Sequence, residues 1–157
     1  MNREIDAGVV TTRVLPYTPE EVFAAWTDPK IVAQWWGPVG FGDEIETFDL
    51  SVGGHWKHVL RGPDGKGYDN LAVFTAIEAP HVLGFAHYLG FEQQGTPHYT
   101  NLTHFAAHPD GMLLSMQMVF ESQAYFDGIK HIILPANEQN FDKLEAVLGK
   151  VYGVRRE

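Results

Sequence analysis

Two histidines stand where an imidazole can do chemistry. His58 lies in the run His55-Trp56-Lys57-His58-Val59-Leu60, and His87 lies in Val82-Leu83-Gly84-Phe85-Ala86-His87-Tyr88-Leu89. Both runs read as strands, in which alternate residues share a face. His58 then keeps company with Trp56 and Leu60, and His87 with Leu83 and Phe85. An imidazole on an apolar face has two uses. It is either a core histidine tied to a neighbouring side chain, or a group facing a cavity as hydrogen-bond partner, acid or base. Both readings stand on the sequence. In the cavity reading, a ring with no carboxylate beside it stays neutral, because burial disfavours the charged form. Tyr99 and Asn101 are weaker candidates for polar cavity groups.

Other chemistries find little support. Eight histidines invite a metal. His55 and His58, however, point to opposite faces of a strand. His104 and His108 have helical spacing in a segment that reads as strand and turn, and no His-Glu-x-x-His motif occurs. No metal and no cofactor are expected. The absence of cysteine removes disulfides, thiol nucleophiles and cysteine-ligated zinc, and it fits a reducing cytoplasm. Ser51, Ser115 and Ser122 sit in no nucleophile elbow. Gly62-Pro63-Asp64-Gly65-Lys66-Gly67 lacks the spacing and the Ser/Thr of a phosphate-binding loop. Asp43, Glu44 and Glu46 read as a solvated strand edge. A net charge of −9 argues against nucleic acid, and the one basic cluster is Arg155-Arg156 at the tail. No apolar run is long enough for a membrane span or a signal peptide.

The elements that must position these groups are readable. At 157 residues and 45% apolar composition, one domain over residues 1–157 is expected. Ile5 to Leu15 reads as the first strand. Thr18-Pro19-Glu20-Glu21 is a capping box that opens a helix burying Val22, Phe23 and Trp26. Asp28-Pro29 opens a second short helix that Gly37-Pro38 stops, with Trp35 and Trp36 on its last turn. Those tryptophans either close a core or line the mouth of a cavity. Strands follow at Asp43–Leu50, His55–Arg61, Asp69–Glu78, Val82–Leu89, Thr100–Ala107 and Met112–Phe120. Gly53-Gly54 marks a bulge or a close backbone approach. Leu114, Met116, Met118 and Phe120 share a face. Helical periodicity begins after Ser122, and Phe141, Leu144, Val147, Leu148 and Val151 form its apolar stripe. Pro135 is expected in the first turn of that helix. One amphipathic helix covers only part of a long sheet, so the sheet must curl around it and leave a hollow.

Four stretches carry a family resemblance: Val22-Phe23-Ala24-Ala25-Trp26-Thr27-Asp28-Pro29, Trp35-Trp36-Gly37-Pro38, Asp49-Leu50-Ser51-Val52-Gly53-Gly54-His55-Trp56, and Phe141-Asp142-Lys143-Leu144. Together they resemble the homologues of the activator of heat shock protein 90 ATPase, within the START-like (SRPBCC) superfamily. The resemblance implies an α+β helix-grip fold. In it, a curved antiparallel sheet wraps a long C-terminal helix, two short helices follow strand 1, and a cavity lies under the long helix. The chain departs from the pattern in two places. Ser51 stands where an arginine is usual, and Ala136-Asn137 stand where many members carry Gly-Trp.

Three functions follow as expectations. The first is a small hydrophobic ligand held by Trp36, Trp56, His58, His87, Met116 and Met118, in a monomer or homodimer. The second is a cyclase, hydratase or hydrolase using a cavity histidine, and whether the chain is an enzyme stays open. The third is a co-chaperone-like interaction domain, although the eukaryotic co-chaperone carries a further domain that this chain is too short to hold. Neither nucleic acid nor membrane is expected as a partner.

Overall fold

Turn and cap chemistry divides the chain into eleven elements in the computed structural model, which describes residues 1–155. Strands β1 (Asn2–Ile5) and β2 (Gly8–Leu15) precede helices α1 (Pro19–Thr27) and α2 (Pro29–Val32). Six strands follow: β3 (Gly42–Phe48), β4 (His55–Arg61), β5 (Gly67–Glu78), β6 (Val82–Leu89), β7 (Tyr99–His108) and β8 (Gly111–Phe120). Helix α3 (Gln123–Tyr152) ends the fold. All eight strands form one antiparallel sheet in the order β1-β2-β8-β7-β6-β5-β4-β3. The sheet curves around α3, and this is the helix-grip architecture expected from the sequence.

The expected first strand is two strands. Ile5 pairs with Gly8 across an Asp6-Ala7 turn, with Ala7 at φ +57°. Gly8 is required there, because a Cβ at that position would meet the Met118 carbonyl oxygen at 1.9 Å. The capping box is formed as expected: Glu21 N donates to Thr18 Oγ1 at 3.1 Å, and Thr18 N donates to Glu21 Oε1 at 2.9 Å. Asp28 caps α2 through Lys30 N at 2.9 Å. Helix α2 ends at Val32, so Trp35 and Trp36 sit in the turn beyond it. Gly54 is a close approach: its oxygen accepts from Phe74 N, and a Cβ would meet the Asp49 carbonyl oxygen at 2.2 Å.

Pro135 is not in a first turn. Helix α3 starts at Ser122, whose Oγ accepts from Tyr125 N at 3.0 Å, and it runs through Pro135 for 30 residues. The proline removes one backbone donor, and its ring crowds the preceding turn at about 3 kcal/mol. Apolar anchors on both sides offset this: Phe126 before it, and Phe141, Leu144 and Leu148 after it, are fully buried. Asn2 Nδ2 reaches the Leu134 carbonyl oxygen from outside the helix at 3.0 Å. Arg13 on β2 adds an electrostatic tie to Glu138 at 3.0 Å and Asp142 at 2.8 Å. The stripe ends one residue earlier than its periodicity implies, since Val151 is 44% exposed. Arg155 pairs with Glu21 at 2.6 Å, whereas Arg156, the other half of the tail's basic pair, lies outside the described residues.

Leu144→Ala is expected to destabilise the fold by about 2–5 kcal/mol in denaturant unfolding, through the cavity it leaves. Val151→Ala, on the same nominal stripe, is expected to stay within about 0.5 kcal/mol of the parent.

Candidate functional site

Helix α1 and a wedge of aromatic rings fill one end of the groove between α3 and the sheet. Trp26 meets Trp35 with ring centroids 4.9 Å apart, Trp36 meets Trp56 at 5.2 Å, and Trp56 meets Phe85 at 5.8 Å. The contacts are edge to face, the geometry aromatic quadrupoles favour. The tryptophan pair divides between the two roles open to it. Trp35 is wholly buried and donates its indole N–H to the Ala25 carbonyl oxygen at 2.9 Å. Trp36 turns its ring to the other end of the groove, where a cavity of about 200 Å³ remains.

The sheet supplies His87, Tyr99, Met116 and Met118 to this cavity, and α3 supplies Ile133, Ala136, Asn137 and Asn140. Trp36-Gly37-Pro38 close one side. Leu89, 67% exposed, marks the rim. Gly37 N donates to Asn140 Oδ1 at 3.0 Å, and Lys143 Nζ donates to the Gly37 oxygen at 3.1 Å. The loop is therefore strapped to α3.

Of the residues expected to hold a ligand, Trp36, His87, Met116 and Met118 line the cavity. Trp56 and His58 are placed elsewhere, which corrects the expectation that they border it. Both face inward, but the Trp36 ring stands in front of Trp56, and Trp56 stacks on His58 at 4.4 Å. His58 Nδ1 lies 2.7 Å from Asp43 Oδ1, with both side chains out of solvent. This corrects the reading of Asp43 as part of a solvated edge. Glu44 and Glu46 are exposed and Asp43 is not, because its place opposite Leu60 turns it to the concave face. Burial pushes the Asp43 carboxyl above its usual range, and the hydrogen bond from His58 pulls against that shift.

His87 is the opposite case. It is 6% exposed, stacks on Tyr99 at 4.6 Å and has no carboxylate partner. Its Nε2 lies 2.7 Å from Asn70 Oδ1, and its Nδ1 is buried with no protein partner. Burial, followed by the nearby His98 and His58, pushes its pKa down to about 3. His98 is also lowered by burial; its Nε2 lies 2.8 Å from the Tyr125 hydroxyl, and its Nδ1 is likewise unpartnered. Tyr99 lines the cavity. Asn101 is buried on the same face without lining it.

Sequence reasoning missed Asn70, His98 and Asn137. Asn70 is the fourth residue of β5, a polar group among charged and apolar neighbours, and His98 lies just before β7, outside any alternating run. Asn137 did carry one, since Ala136-Asn137 is a place where the chain departs from the family pattern, and both residues line the cavity. A larger cleft of about 590 Å³ runs outside α3 past Tyr17, Asp142, Glu145 and Arg155, but it is a charged surface groove. Among the described residues, no three His, Asp or Glu side chains converge as metal ligands, and no helix is long and apolar enough to cross a membrane.

The fold has close counterparts among solved structures. A Mycobacterium smegmatis protein superimposes with a TM-score of 0.85 at 19% identity, covering 97% of this chain and 98% of its own. An Arthrobacter aurescens protein gives 0.85 at 21%, covering 100% and 96%. An AHSA1-like protein from Aeromonas hydrophila gives 0.73 at 21%, covering 96% and 97%. At these identities the likeness is one of fold. No curated protein matches the sequence significantly. The sequence itself matches the family described as Activator of Hsp90 ATPase homolog 1-like protein over residues 16–149, a span that takes in the tryptophan pair, the cavity strands and the strapped helix. The chain belongs to that family, within the START-like superfamily.

Proposed function

We propose that this protein binds a small, largely apolar molecule in the cavity between α3 and the concave face of the sheet, with residues 1–157 acting as one START-like domain in the cytoplasm. One observation carries the reading: a cavity of about 200 Å³ walled by Trp36, Met116, Met118 and Ile133 also holds His87, a buried imidazole with an unpartnered nitrogen. Apolar walls with a few placed polar groups are the usual make-up of a ligand site, and methionine suits one that must adapt. Catalysis fits less well. Neither cavity histidine, His87 or His98, is hydrogen-bonded to a carboxylate, while His58, which is, stands outside the cavity. A co-chaperone role would need a recognition surface, and the unpartnered nitrogen of His87 on which the binding reading rests lies inside the molecule.

The four methionines offer a direct test with indole as the probe. Saturable shifts are expected for the methyl carbons of Met116 and Met118, and none for Met1 or the buried Met112. Met118→Trp, which fills the cavity, is expected to abolish them. Uniform or unsaturable shifts would remove the binding reading.

Acid stability gives a second measurement. Unfolded, His87 takes up a proton near 6.5; folded, it does so only at about 3. Between those values the unfolded chain binds more protons. Stability is therefore expected to fall as pH drops below about 6.5, with His87 contributing up to about 1.4 kcal/mol per pH unit. His87→Gln should show a shallower slope over that window in denaturant unfolding. Coincident slopes would mean that the ring is not held neutral by the fold.

A further inference from the structure

The hydrogen bonds around His87 and Asn137 specify which half of a hydrogen bond a ligand must bring to them. Asn70 Nδ2 donates to the Tyr68 carbonyl oxygen at 2.8 Å, which fixes the orientation of its amide. The atom it turns to His87 is thus an oxygen, 2.7 Å from Nε2, and an oxygen there requires a hydrogen on Nε2. In a neutral ring the other nitrogen then carries a lone pair. That nitrogen, Nδ1, is the buried atom with no protein partner. Asn137 is oriented by the same logic. Its Nδ2 donates to Thr11 Oγ1 at 3.0 Å, so the oxygen is what it has left to offer. Thr11 Oγ1 in turn donates to Asn2 Oδ1 at 2.7 Å, which completes the relay and keeps Asn137 from flipping.

Charge narrows the class further. No Lys, Arg, Asp or Glu lines the cavity. The ammonium of Lys143, on the same helix as Asn140, is held by the carbonyl oxygens of Gly37 and Pro38. An anionic ligand would find no cation and a cationic one no carboxylate, and a charge without a partner is excluded from such a site. Size sets the last limit, since a dry cavity of about 150 Å³ accommodates benzene. The space here holds roughly one substituted ring.

We propose that the cavity selects neutral ligands that donate a hydrogen bond, a hydroxyl or an N–H on a body about the size of one substituted aromatic ring, with His87 Nδ1 as the acceptor. The proposal rests on the ligand-binding reading above and adds the chemical class. It is a statement about matched pairs: p-cresol against 4-methylanisole, and indole against N-methylindole, which keep the ring and remove the donor.

The experiment is calorimetric titration of the wild-type protein with each pair and with toluene, together with the ¹⁵N resonance of His87 Nδ1. Donors are expected to bind about tenfold or more tightly than their methylated partners, since a buried acceptor left unmet disfavours the wrong ligand. The nitrogen signal should move with donors only. His87→Phe, checked for folding by thermal unfolding, should erase the preference while still binding toluene. Where that variant does not fold, the nitrogen shift in the wild-type protein decides. Equal affinities within each pair, with a stationary nitrogen signal, overturn the donor proposal and leave the cavity as a ligand site. Failure of every probe, toluene included, overturns the ligand-binding reading and this proposal with it.

Discussion

One helix cannot fill the groove of an eight-stranded sheet. Helix α3 lies over β2 and β8 and is tied there by Arg13, so the sheet beyond must be covered by something else. The aromatic wedge supplies that cover. Trp26, Trp35, Trp36, Trp56 and Phe85 pack edge to face from α1 across to β6. Rings packed this way give dense, stiff contacts that do not slump into neighbouring space. The wedge ends at Trp36, and the cavity begins there. On the α3 side its wall includes Ala136 and Asn137, both too short to close the gap.

The same wedge separates two histidines that look alike in the chain. His58 lies behind it, against Asp43, in a pair that is sealed from water and offset by its own hydrogen bond. A buried pair of this kind is costly to break, because losing one partner leaves the other stranded. His87 lies in front of the wedge with an amide for company, and burial without an opposing charge keeps it neutral. Environment alone assigns one a structural part and the other a place in the cavity wall.

Membership of the family brings a scaffold, and the scaffold leaves the ligand open. What individualises this chain is the set of polar atoms inside it. Asn137 and Asn140 each have one end of the amide engaged by the protein, and Asn70, engaged at both ends, fixes the tautomer of His87, so the groups presented to the cavity are defined. A site whose donors and acceptors are set before a ligand arrives discriminates by what it leaves unpaired.

The sequence by itself determined the elements and their faces. Strand parity placed His58 and His87 on the concave side, because a period of two allows only two choices and their neighbours are apolar. Local caps located α1 and α2, and the motif order pointed to the helix grip. Three features escaped it. The Asp6-Ala7 turn was hidden in a run rich in Val and Thr. Pro135 was assigned by its local cost, which anchors on either side of it override. Asp43 was counted with its charged neighbours, although its cross-strand partner sets its environment. Tertiary structure decided the site itself. Whether an inward side chain meets a cavity or another ring depends on which bulky residue from a distant element arrives first, and here Trp36 screens Trp56 and exposes His87. That competition for volume is settled only when the whole core packs.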